Sequence, residues 1–262
     1  MIDKFSEYLK LNVNKKSSRD SYLYQVELFF KNYKDFTQEN VNSYLASIVD
    51  KELSNNYFNK IIFSLSHYAH FSKINIDFPT SKKPAEKDIP YLTIEDLNLI
   101  TKYITQIFSD YKKRELVIKF LFYTGLRPSE LLNLKREDID MKNRVVTITQ
   151  SKSNKYRKVK YSSCIQLLID NLFVNEAEKL NAFNVTISYL RYTIKKIKVE
   201  LNLNKNLDVY SLRHSFAKYC LKQGMSIDRL QKLMGHSDIK ITQRYAKTTE
   251  EEALIDYDRY IK

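Results

Sequence analysis

Seven of the 262 residues are glycine or proline, three Gly and four Pro, and none stands before Pro79. These two residues break helices, glycine through its backbone freedom and proline through its missing N–H and its clash with the preceding turn. A chain with so few of them is restricted to long uninterrupted elements. Where apolar residues recur at three- and four-residue spacing, those elements are helices. Residues 3–78 read as four helices. Phe5, Tyr8 and Leu9 mark the first, and Tyr22, Val26, Phe29 and Phe30 the second. Val41, Tyr44, Leu45 and Ile48 mark the third, and Phe58, Ile61, Ile62, Leu65 and Tyr68 the fourth.

The seven breakers also divide the chain. Residues 79–90 hold three of the prolines and three lysines with no periodicity, which predicts a basic linker. Beyond it Thr93 is an expected N-cap, with Asp96 three residues on, and a helix runs through Leu97, Ile100 and Ile104. A further helix spans about 112–124 and ends at Gly125, and Pro128 suits the first position of a helix over 128–134. The runs 144–149 and 156–161 form the one strand pair that stands out. Helices are expected at about 163–173, 186–201, 211–223, 226–234 and 238–245, with a last one from about 250, and Gly224 and Gly235 fall where helices end. The fold class is mainly α: a helical domain at 1–78, a linker at 79–90, and an α-rich domain with a small antiparallel sheet at 91–262.

Net charge is +13, and it is not spread evenly. Residues 1–78 carry ten Lys/Arg against nine Asp/Glu, so +12 of the excess lies beyond them. From Lys142 to Lys160 there are seven basic residues and no acidic one: Lys142, Arg144, Lys152, Lys155, Arg157, Lys158 and Lys160. That is more like charge than a soluble edge hairpin requires, and it points to phosphate contact. Lys82 and Lys83 in the linker suit a strap along the same backbone. Charge of this size and placement favours a polyanionic partner but does not name one. Cys164 and Cys220 lie in apolar helical patterns and read as buried, reduced thiols. No CxxC or His/Cys cluster suggests a metal site. The first residues are too charged for a signal peptide, and no apolar run reaches the ~18 residues that span a bilayer. A soluble, cytoplasmic protein without membrane attachment is expected.

Three short boxes carry chemistry: Thr-Gly-Leu-Arg-Pro-Ser-Glu at 124–130, Ser-Leu-Arg-His-Ser-Phe-Ala at 211–217, and Leu-Met-Gly-His-Ser-Asp-Ile-Lys-Ile-Thr-Gln-Arg-Tyr at 233–245. Arginine suits a phosphate because it is always charged and its planar fork matches phosphate oxygens. Arg213 sits in an apolar run, where it must find an anion or cost several kcal/mol of desolvation. With 20 tyrosines in the chain, composition cannot choose a nucleophile; Tyr245 stands nine residues after His236.

In this order and these contexts the boxes resemble the active-site boxes of the tyrosine recombinases, or phage integrase family, over roughly residues 90–250. The resemblance implies an N-terminal four-helix core-binding (SAM-like) domain and a catalytic domain, closing as two lobes around double-stranded DNA. The implied activity is that of a small Xer-like or simple integrase-type site-specific recombinase. Such an enzyme cleaves and rejoins DNA through a 3′-phosphotyrosyl intermediate, is monomeric in solution and forms a tetramer on DNA. Arg127, Arg213 and His236 would bind the scissile phosphate, and Tyr245 would attack it. A lysine of the hairpin turn would protonate the departing 5′ oxygen; Lys152 fits better than Lys155. Glu130 and Asp138 would orient or cap. No metal and no cofactor is implied, because arginines and lysine supply the countercharge. The final helix, with Thr249 and Glu252 as its capping box, would dock on a neighbouring protomer.

One position departs from the family pattern. A histidine is usual three residues before the second arginine, and here it is Tyr210, expected to donate a hydrogen bond to the phosphate since a phenol is a poor base at neutral pH. His214, directly after Arg213, lies off the pattern and is expected to be idle. Two other functions compete: a non-catalytic helix-turn-helix DNA-binding protein built on 226–245, and a type IB topoisomerase-like nicking-closing enzyme.

Overall fold

The computed structural model describes residues 2–82, 89–149, 156–175, 181–203 and 207–246. It divides into two compact units, Met1–Lys87 and Asp88–Lys262.

The first unit holds α1 (Ile2–Asn12), α2 (Lys16–Asn32), α3 (Gln38–Val49) and α4 (Asn55–Ser72). Thr37 and Ser54 accept hydrogen bonds from Asn40 N and Tyr57 N and so start α3 and α4. The apolar stripes meet in one core that includes Phe5, Val26, Phe29, Val41, Ile61 and Leu65, all fully buried. Tyr68 lies edge-on to Phe5, Phe30 and Phe36 in that core. Lys82 is fixed to α4: its backbone exchanges two hydrogen bonds with the Asn59 side chain, and its Nζ sits 4.5 Å from the centre of the Phe58 ring.

The second unit opens with α5 (Ile94–Ile107) and α6 (Tyr111–Thr124). Thr93 and Asp96 form the expected capping box at the start of α5. Gly125 ends α6 in the left-handed conformation, and Pro128 begins α7 (Pro128–Asn133). The sheet has three strands, β1 (Ile139–Asp140), β2 (Val145–Thr149) and β3 (Tyr156–Lys160), antiparallel in that order. Val146 pairs with Val159 and Ile148 with Arg157. Then follow α8 (Gln166–Asn175), α9 (Ile187–Glu200), α10 (Val209–Lys222), α11 (Ile227–Met234) and α12 (Ile239–Gln243). One large core joins α5, α6, the sheet and α9, and includes Leu97, Val117, Leu121, Val146 and Leu190. A smaller one gathers Phe216, Ala217, Cys220, Leu230, Met234 and Tyr245 between α10, α11 and α12.

Several expectations are corrected. β1 did not stand out in the sequence because two residues carry no alternation. The helix expected at 211–223 begins two residues earlier, because Asp208 caps it by accepting from Ser211 N. Cys164, expected to be buried, is exposed, whereas Cys220 is buried and both are free thiols. The short 3-10 turn that starts at Ser163 turns Cys164 outward and Ile165 inward. Lys83, Lys152, Lys155 and the helix expected from about 250 lie outside the described residues. Among the described residues no helix is long and apolar enough to cross a membrane.

Candidate active site

Several helices and one strand converge on a cluster of charged side chains. The loop between α6 and α7 brings Arg127, α7 brings Glu130, and β3 brings Arg157. From α10 come Arg213 and His214, from the end of α11 His236, and from just beyond α12 Tyr245.

Glu130 is the hub. Its Oε2 accepts from Arg127 N and Arg157 Nη2, both at 2.7 Å, and its Oε1 from Arg127 Nη1 and Arg157 Nη1, both at 2.8 Å. Arg213 Nη1 stands 4.0 Å from Oε2. Burial alone would raise the Glu130 carboxyl, but the Arg157 and Arg127 hydrogen bonds and charges hold it down at about 2. Arg157 Nε also donates to Leu233 O at 2.8 Å, tying the sheet to α11.

The two box arginines are braced by helix C-terminal carbonyls, which have no partner within their helix and carry partial negative charge. Arg213 donates from Nη1 to Gly125 O at 2.5 Å and from Nη2 to Met234 O at 2.6 Å. Arg127 Nη2 donates to Gly235 O at 3.1 Å. Both glycines are left-handed, and a side chain on Gly235 would press on Arg157 while one on Gly125 would strike the Phe216 ring. The Arg213 side chain is only 4% exposed, and burial together with Arg127 lowers its pKa to about 10. It stays charged at neutral pH. The Arg127 side chain is 32% exposed and faces solvent more openly.

The geometry fixes the tautomer of His236. Arg213 Nη2 lies 2.9 Å from His236 Nε2, and an arginine only donates. Nε2 is therefore the acceptor, and the ring proton sits on Nδ1, 2.9 Å from the buried Thr242 Oγ1. Burial, then Arg213, Arg127 and Arg157, push this imidazole down to about 4, so it is neutral at pH 7.

Tyr245 is 5% exposed. Its ring stacks at 6.4 Å from that of His236 and tilts against that of His214 at 5.5 Å. Its hydroxyl lies 2.9 Å from His214 Nδ1. Burial raises the phenol pKa, while Arg213, Arg244 and Arg127 pull it back.

The structure thus brings together Arg127, Arg213, His236 and Tyr245, four of the residues singled out in the sequence. Arg157 is a correction. It was expected to touch phosphate, but its side chain is 8% exposed and held by Glu130. The strand period shows why: Arg157 shares the inward face with Val159, while Lys158 and Lys160 point outward with Tyr156. Lys142 is exposed at the β1–β2 turn, and Arg144 is half-buried there with a left-handed backbone. Tyr210 stands in the first turn of α10, 47% exposed. Asp138 accepts from Lys135 N at 2.9 Å and caps a 3-10 turn. Thr242 was missed, and His214, expected to be idle, stands 2.9 Å from the Tyr245 hydroxyl. Nothing in a single sequence marks Thr242, while an imidazole in an apolar helical run was the available signal for His214. Among the described residues no group of three or more His, Cys, Asp and Glu is arranged to hold a metal ion.

Comparison with known proteins follows the same boxes. The model of the phage integrase family matches residues 90–252. Tyrosine recombinase XerA of Pyrococcus horikoshii is 28% identical over 265 residues, covering 95% of this chain and 89% of its own length. A probable integrase/recombinase of Acholeplasma phage L2 is 33% identical over 225 residues, covering 78% and 72%. Among solved structures, the Tn1549 transposon integrase with circular intermediate DNA superposes with a TM-score of 0.76 at 20% identity, covering 98% of each chain. A XerH site-specific recombinase bound to its difH substrate gives 0.72 at 18% identity, covering 100% of this chain and 94% of that one. These structural likenesses carry the fold; the sequence match over the three boxes and the site they build carries the membership, and the chain belongs to the phage integrase family of tyrosine recombinases.

Proposed function

We propose that this chain is a site-specific DNA recombinase that cuts and rejoins strands with Tyr245 as its nucleophile. The observation that carries this is the convergence of one buried tyrosine hydroxyl, two braced arginines and a neutral histidine from separate elements of the second unit. A lone helix-turn-helix protein has no use for that arrangement.

The chemistry runs as a transesterification. The Tyr245 hydroxyl oxygen bonds to phosphorus, the P–O5′ bond breaks, and the phenol proton is lost. The 5′ oxygen takes a proton from Lys152, and the 3′-phosphotyrosyl bond stores the energy for rejoining. Arg127 meets the phosphate from the solvent side, and Arg213 supplies fixed charge from within. Because the carbonyls of Gly125, Met234 and Gly235 hold both guanidinium planes before DNA arrives, little reorganisation is left for the transition state. The Nε2 lone pair of His236 is engaged with Arg213, so a bound phosphate displaces that contact and draws a proton onto Nε2, making it a donor. Tyr210 adds a hydroxyl donor from the exposed start of α10. Lys142, Lys158 and Lys160, with Lys155 and the linker's Lys82 and Lys83, track the backbone.

The first unit is the core-binding domain, and four protomers exchange strands between two sites, with the C-terminal segment docking on a neighbour. The test is covalent trapping on a nicked suicide duplex. Wild-type protein should form a stable adduct, and Tyr245→Phe should bind and form none. Joining of strands from two different duplexes then separates a recombinase from a nicking-closing enzyme.

A further inference from the structure

We propose that His214 is a catalytic residue, the base that takes the phenol proton of Tyr245 as the strand is cut. This rests on Tyr245 being the nucleophile. Transesterification by a phenol needs an acceptor for its proton, and position 210, where the family pattern has an imidazole, holds a tyrosine. One turn further along α10, the His214 Nδ1 lies 2.9 Å from the Tyr245 hydroxyl, within the distance for direct transfer. His236 cannot serve, because its Nδ1 faces Thr242 and its Nε2, beside Arg213 in the DNA-free site, becomes a donor to the bound phosphate.

The surroundings suit a base. Tyr245, Asp208, Arg213, Arg244 and His236 are the titratable and charged groups around the ring. Burial, with Arg213 and Arg244, lowers the imidazole pKa, and Asp208 partly opposes them. The ring is therefore neutral at pH 7, with a lone pair available. Asp208 favours the imidazolium that forms, as a carboxylate near a catalytic histidine should.

The step balances. The Tyr245 oxygen bonds to phosphorus and its proton moves to Nδ1, giving imidazolium. The P–O5′ bond breaks, and the 5′ oxygen takes its proton from an acid on the leaving side. In rejoining, the 5′ hydroxyl attacks, the tyrosine oxygen leaves, and His214 returns the proton to it.

The test uses single-turnover cleavage of a nicked duplex whose site is selected from random-sequence DNA with the Tyr245→Phe chain. Wild-type cleavage should be flat from pH 7 to 9. His214→Asn places an amide near Nδ1 without a base. It should keep DNA affinity, lose about 100- to 1,000-fold in rate, and gain about tenfold per pH unit over the same range, because the phenol must then ionise to solvent. His214→Ala should be restored in part by added imidazole, an effect that a merely structural role would not produce.

In the DNA-free chain, which has four histidines, nitrogen NMR should show the His214 Nδ1 as a hydrogen-bond acceptor. That signal should shift in Tyr245→Phe. A His214→Asn rate within twofold of wild type and flat with pH would overturn the assignment. So would a binding-competent His214→Ala that imidazole does not rescue, or an Nδ1 signal indifferent to Tyr245→Phe. An adduct formed by Tyr245→Phe would instead bring down the nucleophile assignment itself, whatever His214 does.

Discussion

Replacing Glu130 by glutamine should loosen the whole site, and the structure sets the size of the effect. The carboxyl falls from its ordinary 4.5 to about 2 in the folded protein. At about 1.4 kcal/mol for each tenfold, that is about 3 kcal/mol of preference for the charged form. The side chain is 14% exposed, so solvent screens little of it. An amide keeps the shape but removes the charge and points N–H groups at guanidinium N–H groups. Arg157, whose side chain is 8% exposed, then has lost its counter-ion in a dry place. Breaking a buried pair from one side costs about 3–5 kcal/mol, in agreement with the first figure. Glu130→Gln should therefore lower the unfolding free energy of the second unit by about 3 kcal/mol, or its Tm by roughly 6–12 °C. Urea unfolding of the full chain, with hydrogen exchange at the amides of α7 and α11, measures this where it occurs. Adding Arg157→Met should recover more than about 1 kcal/mol, since the stranded charge is gone. A loss under about 0.5 kcal/mol in Glu130→Gln, or no recovery in the double variant, would refute the view that Glu130 holds the arginines by charge.

Other outcomes follow from the same geometry. Gly125→Ala should destabilise the second unit by about 2 kcal/mol or more, because the left-handed backbone and the Phe216 ring both oppose a Cβ; thermal melting checks it. Acid should weaken the fold in two stages. A neutral folded His236, held near 4 against 6.5 unfolded, makes stability fall as pH drops from 6.5 to about 4, and Glu130 adds a loss as pH falls from 4.5 through about 2. His236→Gln should shrink the upper stage, to which His214 also contributes, and Glu130→Gln the lower, as read by urea midpoints against pH. Lys152→Ala should slow cleavage by orders of magnitude, and a 5′-phosphorothiolate, which leaves without an acid, should recover much of the loss. Lys158→Ala and Lys160→Ala should each weaken DNA binding and lower the salt slope by about one, measured by titration at several salt concentrations.

The sequence by itself determined the elements and the chemistry's vocabulary. Helix periodicity and a handful of breakers located nearly every helix to within a few residues, because caps and stops are local: Thr93 with Asp96, Gly125 before Pro128, Gly235 after Met234. Ordered motifs marked Arg127, Arg213, His236 and Tyr245 through their resemblance to the family's boxes, and arginine suits a phosphate wherever it is held. Only the tertiary structure decided how those groups are held. Basic residues of one hairpin look alike in sequence, yet strand parity and packing against α11 bury Arg157 on Glu130 while Lys158 and Lys160 stay outside. That Gly125 O and Met234 O brace Arg213 depends on where two helices far apart in the chain come to end. His214 looked idle beside Arg213 in the chain. Neighbours on a helix face different ways, and α10 turns one side chain toward the arginine hub and the other toward Tyr245. Which side chain touches which is set by distances between elements, and a single chain does not encode those in any local pattern.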